Sequence, residues 1–213
     1  MEADRATALA RVQGFAARLP DPRLMVKPAR LGSSIGMSIV HRPARGAELE
    51  LALAAAFEHD DRVLAEAYLV GARELEVAVL GNGTRTEAFG PGEVFPGHEF
   101  YDYSAKYQPG VSRTTATPEL GAATGERLRD LARAAFAVIG AAGFARVDFL
   151  MHAGRVYLSE INTIPGFTPI SLFPVLCQTG GYTFADVCAR IVELAIEGAA
   201  QRPRRRLTRA DLP

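Results

Sequence analysis

The stretch FARVDFLMHAGRVYLSEINTIPGFTPIS, residues 144–171, decides the reading of this chain. Two apolar-rich runs, 144–151 and 155–161, flank a short segment carrying Gly154, which is the signature of a β-hairpin. Side chains two positions apart in a strand share a face. Arg146 and Asp148 therefore project together from the first strand, and Glu160 and Asn162 from the second. A three-residue loop, Ala153–Gly154–Arg155, sets His152 opposite Val156, Asp148 opposite Glu160 and Arg146 opposite Asn162. Val147, Phe149, Leu158 and Ile161 then face the core. Two carboxylates and an amide oxygen brought to one spot repel each other unless a cation joins them. Mg2+ takes oxygen ligands of this kind, together with substrate phosphates. The alternative is a solvated sheet face on which Arg146 bridges the two acids.

Outside the hairpin, residues 3–19 have helical apolar spacing that stops at Pro20 and Pro22. Strands are expected at 24–27 and 37–40, bracketing the small-residue loop RLGSSIG at 30–36. A helix is expected over 47–58, and strands over 62–70 and 74–80, with Asn82-Gly83 as a hairpin turn. The segment 90–118 begins GPGEVFPG, continues into FYDYSAKY, and reads as a long loop, a length usually reserved for functional lids. Helices over 119–142 and 183–199 follow, and the chain ends in the basic run RPRRRLTRADLP. Helices mixed with hairpins, without regular strand–helix alternation, indicate an α+β class.

The 213 residues suffice for one large or two small domains. With 48% hydrophobic and 23% charged residues the composition is that of an ordinary folded protein. No apolar run reaches the ~18 residues of a membrane span, and the acidic N-terminus carries no apolar signal segment. Zero formal net charge argues against general nucleic-acid binding. Two cysteines, Cys177 and Cys188, make no disulfide framework and point to a reducing, cytoplasmic setting. They read as packing residues, and the four histidines stand in no nucleophile pattern.

Of 24 basic residues only Lys27 and Lys106 are lysines. Lysine supplies a compact point charge that the planar arginine fork does not reproduce. Lys27 stands just before the loop Gly32-Ser33-Ser34-Ile35-Gly36, whose glycines and hydroxyls let backbone N–H groups approach an anion, although the pattern by itself fits an ordinary hairpin turn better. No Walker A or Rossmann glycine motif is present. Glu66-Ala67-Tyr68-Leu69 and Glu74 offer backbone groups suited to a purine and a carboxylate suited to a ribose, or form an ordinary edge strand. Lys106 lies among Tyr101, Tyr103 and Tyr107, as in a lid that closes over phosphates or a tyrosine-rich surface loop.

In this order, VKPARLGSSIGMSIV, EAYLVGARELEVAVLGN, FYDYSAKY, FARVDFL and SEINTIPGFTPISLFP resemble the bacterial D-alanine–D-alanine ligase family of ATP-grasp enzymes. The likeness runs from about Leu24 to Glu197. It implies an ATP-grasp fold, two α+β subdomains sandwiching the nucleotide: a partial central subdomain over 1–73, a C-terminal subdomain over 74–200 with a lid at 90–118, and a tail at 201–213. It implies ATP-dependent ligation of two D-alanines through an acyl phosphate, for peptidoglycan and cell-wall synthesis. A non-catalytic ATP- and metal-binding module, or an ATP-grasp ligase for another amino acid, is the alternative.

The resemblance also implies roles. Lys27, Ser34 and Lys106 serve the ATP phosphates, Glu66, Tyr68 and Leu69 the adenine, and Glu74 the ribose. Asp148, Glu160 and Asn162 hold two Mg2+ ions, with Mn2+ as a substitute. Arg146 stabilises the acyl-phosphate and tetrahedral species, Gly166 supplies backbone to the oxyanion, Ser33 and Tyr107 join in a closing network, and Ser171 and Leu172 shape the second D-alanine pocket. The Lys106-Tyr107 pair implies a dipeptide product rather than a depsipeptide. The family's N-terminal domain, with the acid partner of Ser33 and Tyr107, much of the first D-alanine site and a further phosphate lysine, has no counterpart in these residues. A homodimer or a complementing N-terminal chain is the expected partner.

Overall fold

A computed structural model describes residues 2–97, 112–168 and 171–201. The chain divides into two compact units, 1–72 with 95–113, and 73–94 with 114–213.

In the first unit, α1 (Glu2–Ala16), β1 (Leu24–Pro28), β2 (Ser38–Val40), α2 (Ala47–Phe57) and β3 (Val63–Ala67) follow one another, with one 3-10 turn at Pro43–Arg45 before α2. The strands form an antiparallel sheet in the order β2-β1-β3. Alternation sends Leu24 and Val26 to one face, where they are sealed by Leu49, Ala52, Leu53 and Ala56 of α2 and by Ala16 of α1. Met25 and Lys27 are left on the other face. Arg30 closes the end of β1 by pairing with Asp60, which also accepts the Arg62 backbone N–H, and with Asp61.

The second unit is built on β4 (Arg73–Asn82), β5 (Arg85–Phe95), β6 (Arg113–Thr115), β7 (Gly143–His152) and β8 (Arg155–Asn162), in the order β6-β5-β4-β7-β8, with the β5–β4, β4–β7 and β7–β8 pairs antiparallel. One face, Leu75, Val77, Val79, Ala145, Val147 and Phe149, packs on Leu128, Ala132 and Phe136 of α3 (Ala122–Val138). At one end of the opposite face Phe144 meets Phe173 of α4 (Leu172–Thr179), and Phe167 touches Phe144, Phe173 and Phe184 of α5 (Phe184–Gln201). Asn82 ties this end together, accepting from Gly143 N–H and donating to the Leu194 carbonyl. Among the described residues no helix is long and apolar enough to cross a membrane.

Three local expectations need correction. Where the sequence pointed to loop throughout 90–118, β5 runs on to Phe95 and β6 covers Arg113–Thr115. The glycines here serve close packing rather than a turn. A Cβ on Gly92 would lie 3.0 Å from the Thr115 carbonyl oxygen and 3.1 Å from Leu172 and Leu176. The hairpin loop has two residues, not three: Ala153 (φ 48°) and Gly154 (φ 74°) are both left-handed, as a type I′ turn requires, and His152 pairs with Arg155. A one-residue bulge at Ser159 restores the count, so Asp148 still opposes Glu160 and Arg146 still opposes Asn162. Leu158, expected in the core, is 52% exposed because β8 is the edge strand.

Candidate active site

The half of the second sheet's face that Phe144 does not occupy carries charge. Glu76 on β4, Asp148 on β7 and Glu160 on β8 lie side by side in register, with Arg146 and Asn162 two residues further along their strands. Both neighbouring ladders slip here: β5 carries an extra residue opposite the Glu76–Ala78 step, and β8 carries one at Ser159. Bulges re-aim side chains and are frequent beside active sites.

Arg146 is the hub. Its Nε and Nη2 donate to the two oxygens of Asp148, both at 2.7 Å, and Nε lies 3.2 Å from Glu76 Oε2. Asn162 Nδ2 donates to Asp148 Oδ2 at 2.9 Å and to Glu160 Oε1 at 3.3 Å. Burial works against the charge on Arg146. The hydrogen bonds to Asp148, and the charges of Asp148, Glu76 and Glu160, more than restore it and raise the guanidinium pKa. It stays a cation at any working pH. The sequence reading missed Glu76, which is only 7% exposed. The run ELEVAVL reads as an apolar strand, and the available signal was that Glu76 shares a strand face with Glu74.

The donor set fits a hard divalent cation. Asp148, Glu160 and Asn162 offer oxygens alone, and the Asn162 bonds draw all three side chains together. Among the described residues no group of three or more histidine, cysteine, aspartate and glutamate side chains is placed to hold a metal ion by itself. Mg2+ asks for less protein than that, since it is usually held by one or two carboxylates plus phosphate oxygens and water. Zinc, which prefers nitrogen and sulfur, finds no such donors here. Burial pushes the Cys177 thiol up to about 12, so it is no nucleophile.

After β8 the chain turns through Gly166, and Phe167 is pinned in the aromatic cluster described above. Ser171 Oγ closes the turn, accepting from Thr168 N–H at 3.1 Å and sharing a 2.8 Å hydrogen bond with the Thr168 hydroxyl. A Cβ on Gly166 would come within 3.1 Å of that oxygen. Leu172, buried, opens α4. Glu74 is on β4, half-buried, two residues from Glu76.

The first unit holds a second set. Lys27 Nζ and Glu66 Oε2 are 2.6 Å apart on the sheet face not covered by α2. Tyr68 N–H continues the ladder to the Arg23 carbonyl, and Leu69 follows it. In the 32–36 loop, Ser33 and Ser34 are both left-handed, at φ 57° and 58°. Consecutive non-glycine residues in that region are strained, and such strain gathers at ligand sites. Lys106 and Tyr107 lie outside the described residues.

A family model for the D-ala D-ala ligase C-terminus matches residues 7–193. A D-alanine–D-alanine ligase of Halothermothrix orenii is 44% identical over 173 residues, covering 81% of this chain and 49% of that protein. One from Treponema pallidum is 46% identical over 181 residues, 84% of this chain and 44% of the relative. Among solved structures, the D-alanine–D-alanine ligase of Coxiella burnetii superposes with a TM-score of 0.75 at 33% identity, over 89% of this chain and 50% of that one. A D-Ala:D-Ser ligase of Enterococcus faecalis gives 0.76 at 30%, over 89% and 54%. The chain thus spans about half the length of the curated relatives it matches. The fold is α+β of the ATP-grasp type, and the chain belongs to the D-alanine–D-alanine ligase family, matching that family's C-terminal part.

Proposed function

We propose that this chain supplies the nucleotide- and metal-binding half of an ATP-dependent ligation of two D-alanines. The observation that carries the reading is the Arg146–Asp148–Glu160–Asn162 cluster at the bulged end of the second sheet, in a chain of this family. In the reaction, the carboxylate of the first D-alanine attacks the γ-phosphorus of ATP and expels ADP. The amine of the second attacks the resulting acyl carbon, a proton leaves the nitrogen, and inorganic phosphate departs. Asp148, Glu160 and Asn162 would hold Mg2+, two ions or their Mn2+ equivalents, which neutralises phosphate charge when bound. Arg146 places a permanent cation beside the transferring phosphoryl group and the tetrahedral oxyanion, a preorganised contribution of the kind that dominates phosphoryl and acyl transfer.

Lys27, with Glu66 as its present partner, is the proposed contact for the nucleotide's phosphates, and Ser34 adds its loop. Glu66, Tyr68 and Leu69 line the adenine and Glu74 takes the ribose. Gly166 offers backbone to the oxyanion, free of a Cβ that would crowd Ser171. Ser171 and Leu172 bound the second amino acid. Lys106 and Tyr107 close the site, Tyr107 with Ser33. A cytoplasmic role in peptidoglycan precursor synthesis, and a homodimer or a complementing chain as partner, belong to the same reading.

The second reading is a module that binds Mg-nucleotide and ligates nothing alone. It asks only for the Lys27–Glu66 pair and the Asp148, Glu160 and Asn162 side chains, all of which are in place. ADP release by the purified chain with ATP, Mg2+ and D-alanine separates the two. D-alanine-dependent turnover that vanishes in Glu160→Gln supports ligation by these residues. Nucleotide binding without turnover supports the module, and neither binding nor turnover overturns both.

A further inference from the structure

We propose that Glu76 is a positioning residue for Arg146, holding the guanidinium from β4 when Asp148 turns its oxygens to a metal. The inference rests on the metal reading of Asp148 given above. Both oxygens of Asp148 are engaged by Arg146 and one also by Asn162. A cation bound there competes for those oxygens, and the bidentate grip on Arg146 is then weakened. A guanidinium released in this way swings on a flexible stem and no longer points at one place. Glu76 prevents that. It sits opposite Asp148 across the β4–β7 ladder, separated from Glu160 by β7, with Oε2 at 3.2 Å from Nε of Arg146. It is 7% exposed, flanked by Gly92 on β5, and sits beside the β5 bulge. A carboxylate is retained in such a position only when its charge is compensated. Glu160, the other acid facing Arg146, lies on the edge strand and carries the second metal-binding carboxylate in the same reading, so it is not a spare partner.

The sheet thereby gives Arg146 two holders with different duties. Asp148 is shared with the metal. Glu76 contributes no ligand in this scheme and keeps the cation aimed throughout the cycle. Because Arg146 and Glu76 stand on adjacent strands of one rigid sheet, the aim does not depend on loop closure.

The test uses the full chain, labelled with 15N at arginine, and follows the Nε–H signal of Arg146, assigned through Arg146→Lys. Without ligand, Asp148→Ala removes the holder that metal would claim. The Arg146 signal is expected to persist in Asp148→Ala, and its hydrogen exchange to speed up at least tenfold in Asp148→Ala/Glu76→Gln. Glu76→Asp, which keeps the charge on a shorter stem, is expected to restore part of the protection. Protection unchanged in the double variant means that Glu160 holds the guanidinium and overturns the proposal. Protection lost already in Asp148→Ala means that Glu76 cannot hold it and also overturns it.

A second arm needs only Glu76→Gln, which is nearly isosteric. At saturating Mg2+ and ATP the Arg146 signal should remain in the wild-type chain and be lost in Glu76→Gln, with the nucleotide dissociation constant changed less than threefold. A general structural defect would weaken nucleotide binding as well. If the wild-type chain binds no Mg-nucleotide, the proposed function fails while the ligand-free comparison still decides the role of Glu76.

Discussion

Replacing Arg146 by methionine leaves Glu76, Asp148 and Glu160 facing one another without the guanidinium that joins them. The side chains of Arg146, Glu76 and Asp148 are 20%, 9% and 15% exposed, so solvent screens little of the change. Charge centres about 4 Å apart attract by roughly 4 kcal/mol at an effective dielectric constant of about 20. Arg146 makes one such pair with Asp148 and a slightly longer one with Glu76. Desolvation of the guanidinium, recovered on its removal, offsets part of this. Breaking a buried pair by deleting one partner typically costs about 3–5 kcal/mol. We expect about 3 kcal/mol, or a urea midpoint lowered by about 1.5 M for a slope of about 2 kcal/mol per M. Arg133→Met is the control. Arg133 pairs with Glu126 and Asp130, which are 56% and 65% exposed on α3, and its loss should cost under about 0.5 kcal/mol. Adding millimolar Mg2+ should recover part of the deficit in Arg146→Met and none in Arg133→Met. A loss below about 1 kcal/mol for Arg146→Met, indistinguishable from the control, would refute the claim that this cluster is a low-dielectric, mutually compensated site.

Phe136→Ala should destabilise the second unit by about 3–5 kcal/mol in urea titration, because the ring is 2% exposed and fills the space between α3 and the sheet. Gly92→Ala should cost about 1–3 kcal/mol by the same assay, since the new methyl meets Leu172, Leu176 and the Thr115 carbonyl at 3.0–3.1 Å. Acid should unfold the chain. The Arg23 hydrogen bonds hold Asp21 at about 2, and Arg30 holds Asp60, Arg129 holds Glu126, and the Thr183 hydroxyl holds Asp186 below their ordinary values. Carboxylates whose folded pKa is depressed stabilise the fold above their unfolded values near 4, and that contribution is lost as pH falls through the folded values. The urea midpoint should therefore be flat above about pH 5 and fall between pH 4 and 2. A midpoint that rises over that interval contradicts the assignment.

Much of the candidate site was legible because a strand's period of two fixes which side chains share a face. The pairings Asp148–Glu160 and Arg146–Asn162 came out right although the loop was misjudged by one residue. Two departures cancelled: Ala153 accepts a positive φ that alanine rarely takes, and Ser159 bulges on an edge strand that tolerates it. The glycines and prolines at 90–97 misled for a different reason. Local sequence cannot distinguish a glycine that permits a turn from one that makes room for Leu172 and Leu176, far along the chain. The same distance effect hid α4, whose LFPVLCQT is short, carries a proline and is fixed by burial of Leu172, Phe173 and Leu176. Glu76 escaped because its partner is two strands of sequence away. Nothing around residue 76 announces an ion pair with residue 146. Lys27 and Glu66 were each singled out, but their direct pairing across β1 and β3 follows from the register alone.

Nucleotide binding through these residues is the property on which every proposed role above depends. Titration calorimetry of the purified chain with ATP, with and without Mg2+, measures this without requiring turnover. Binding should depend on Mg2+ and weaken at least tenfold in Glu160→Gln and in Lys27→Met. No binding in the wild-type chain, or binding indifferent to Mg2+ and to both substitutions, would contradict it.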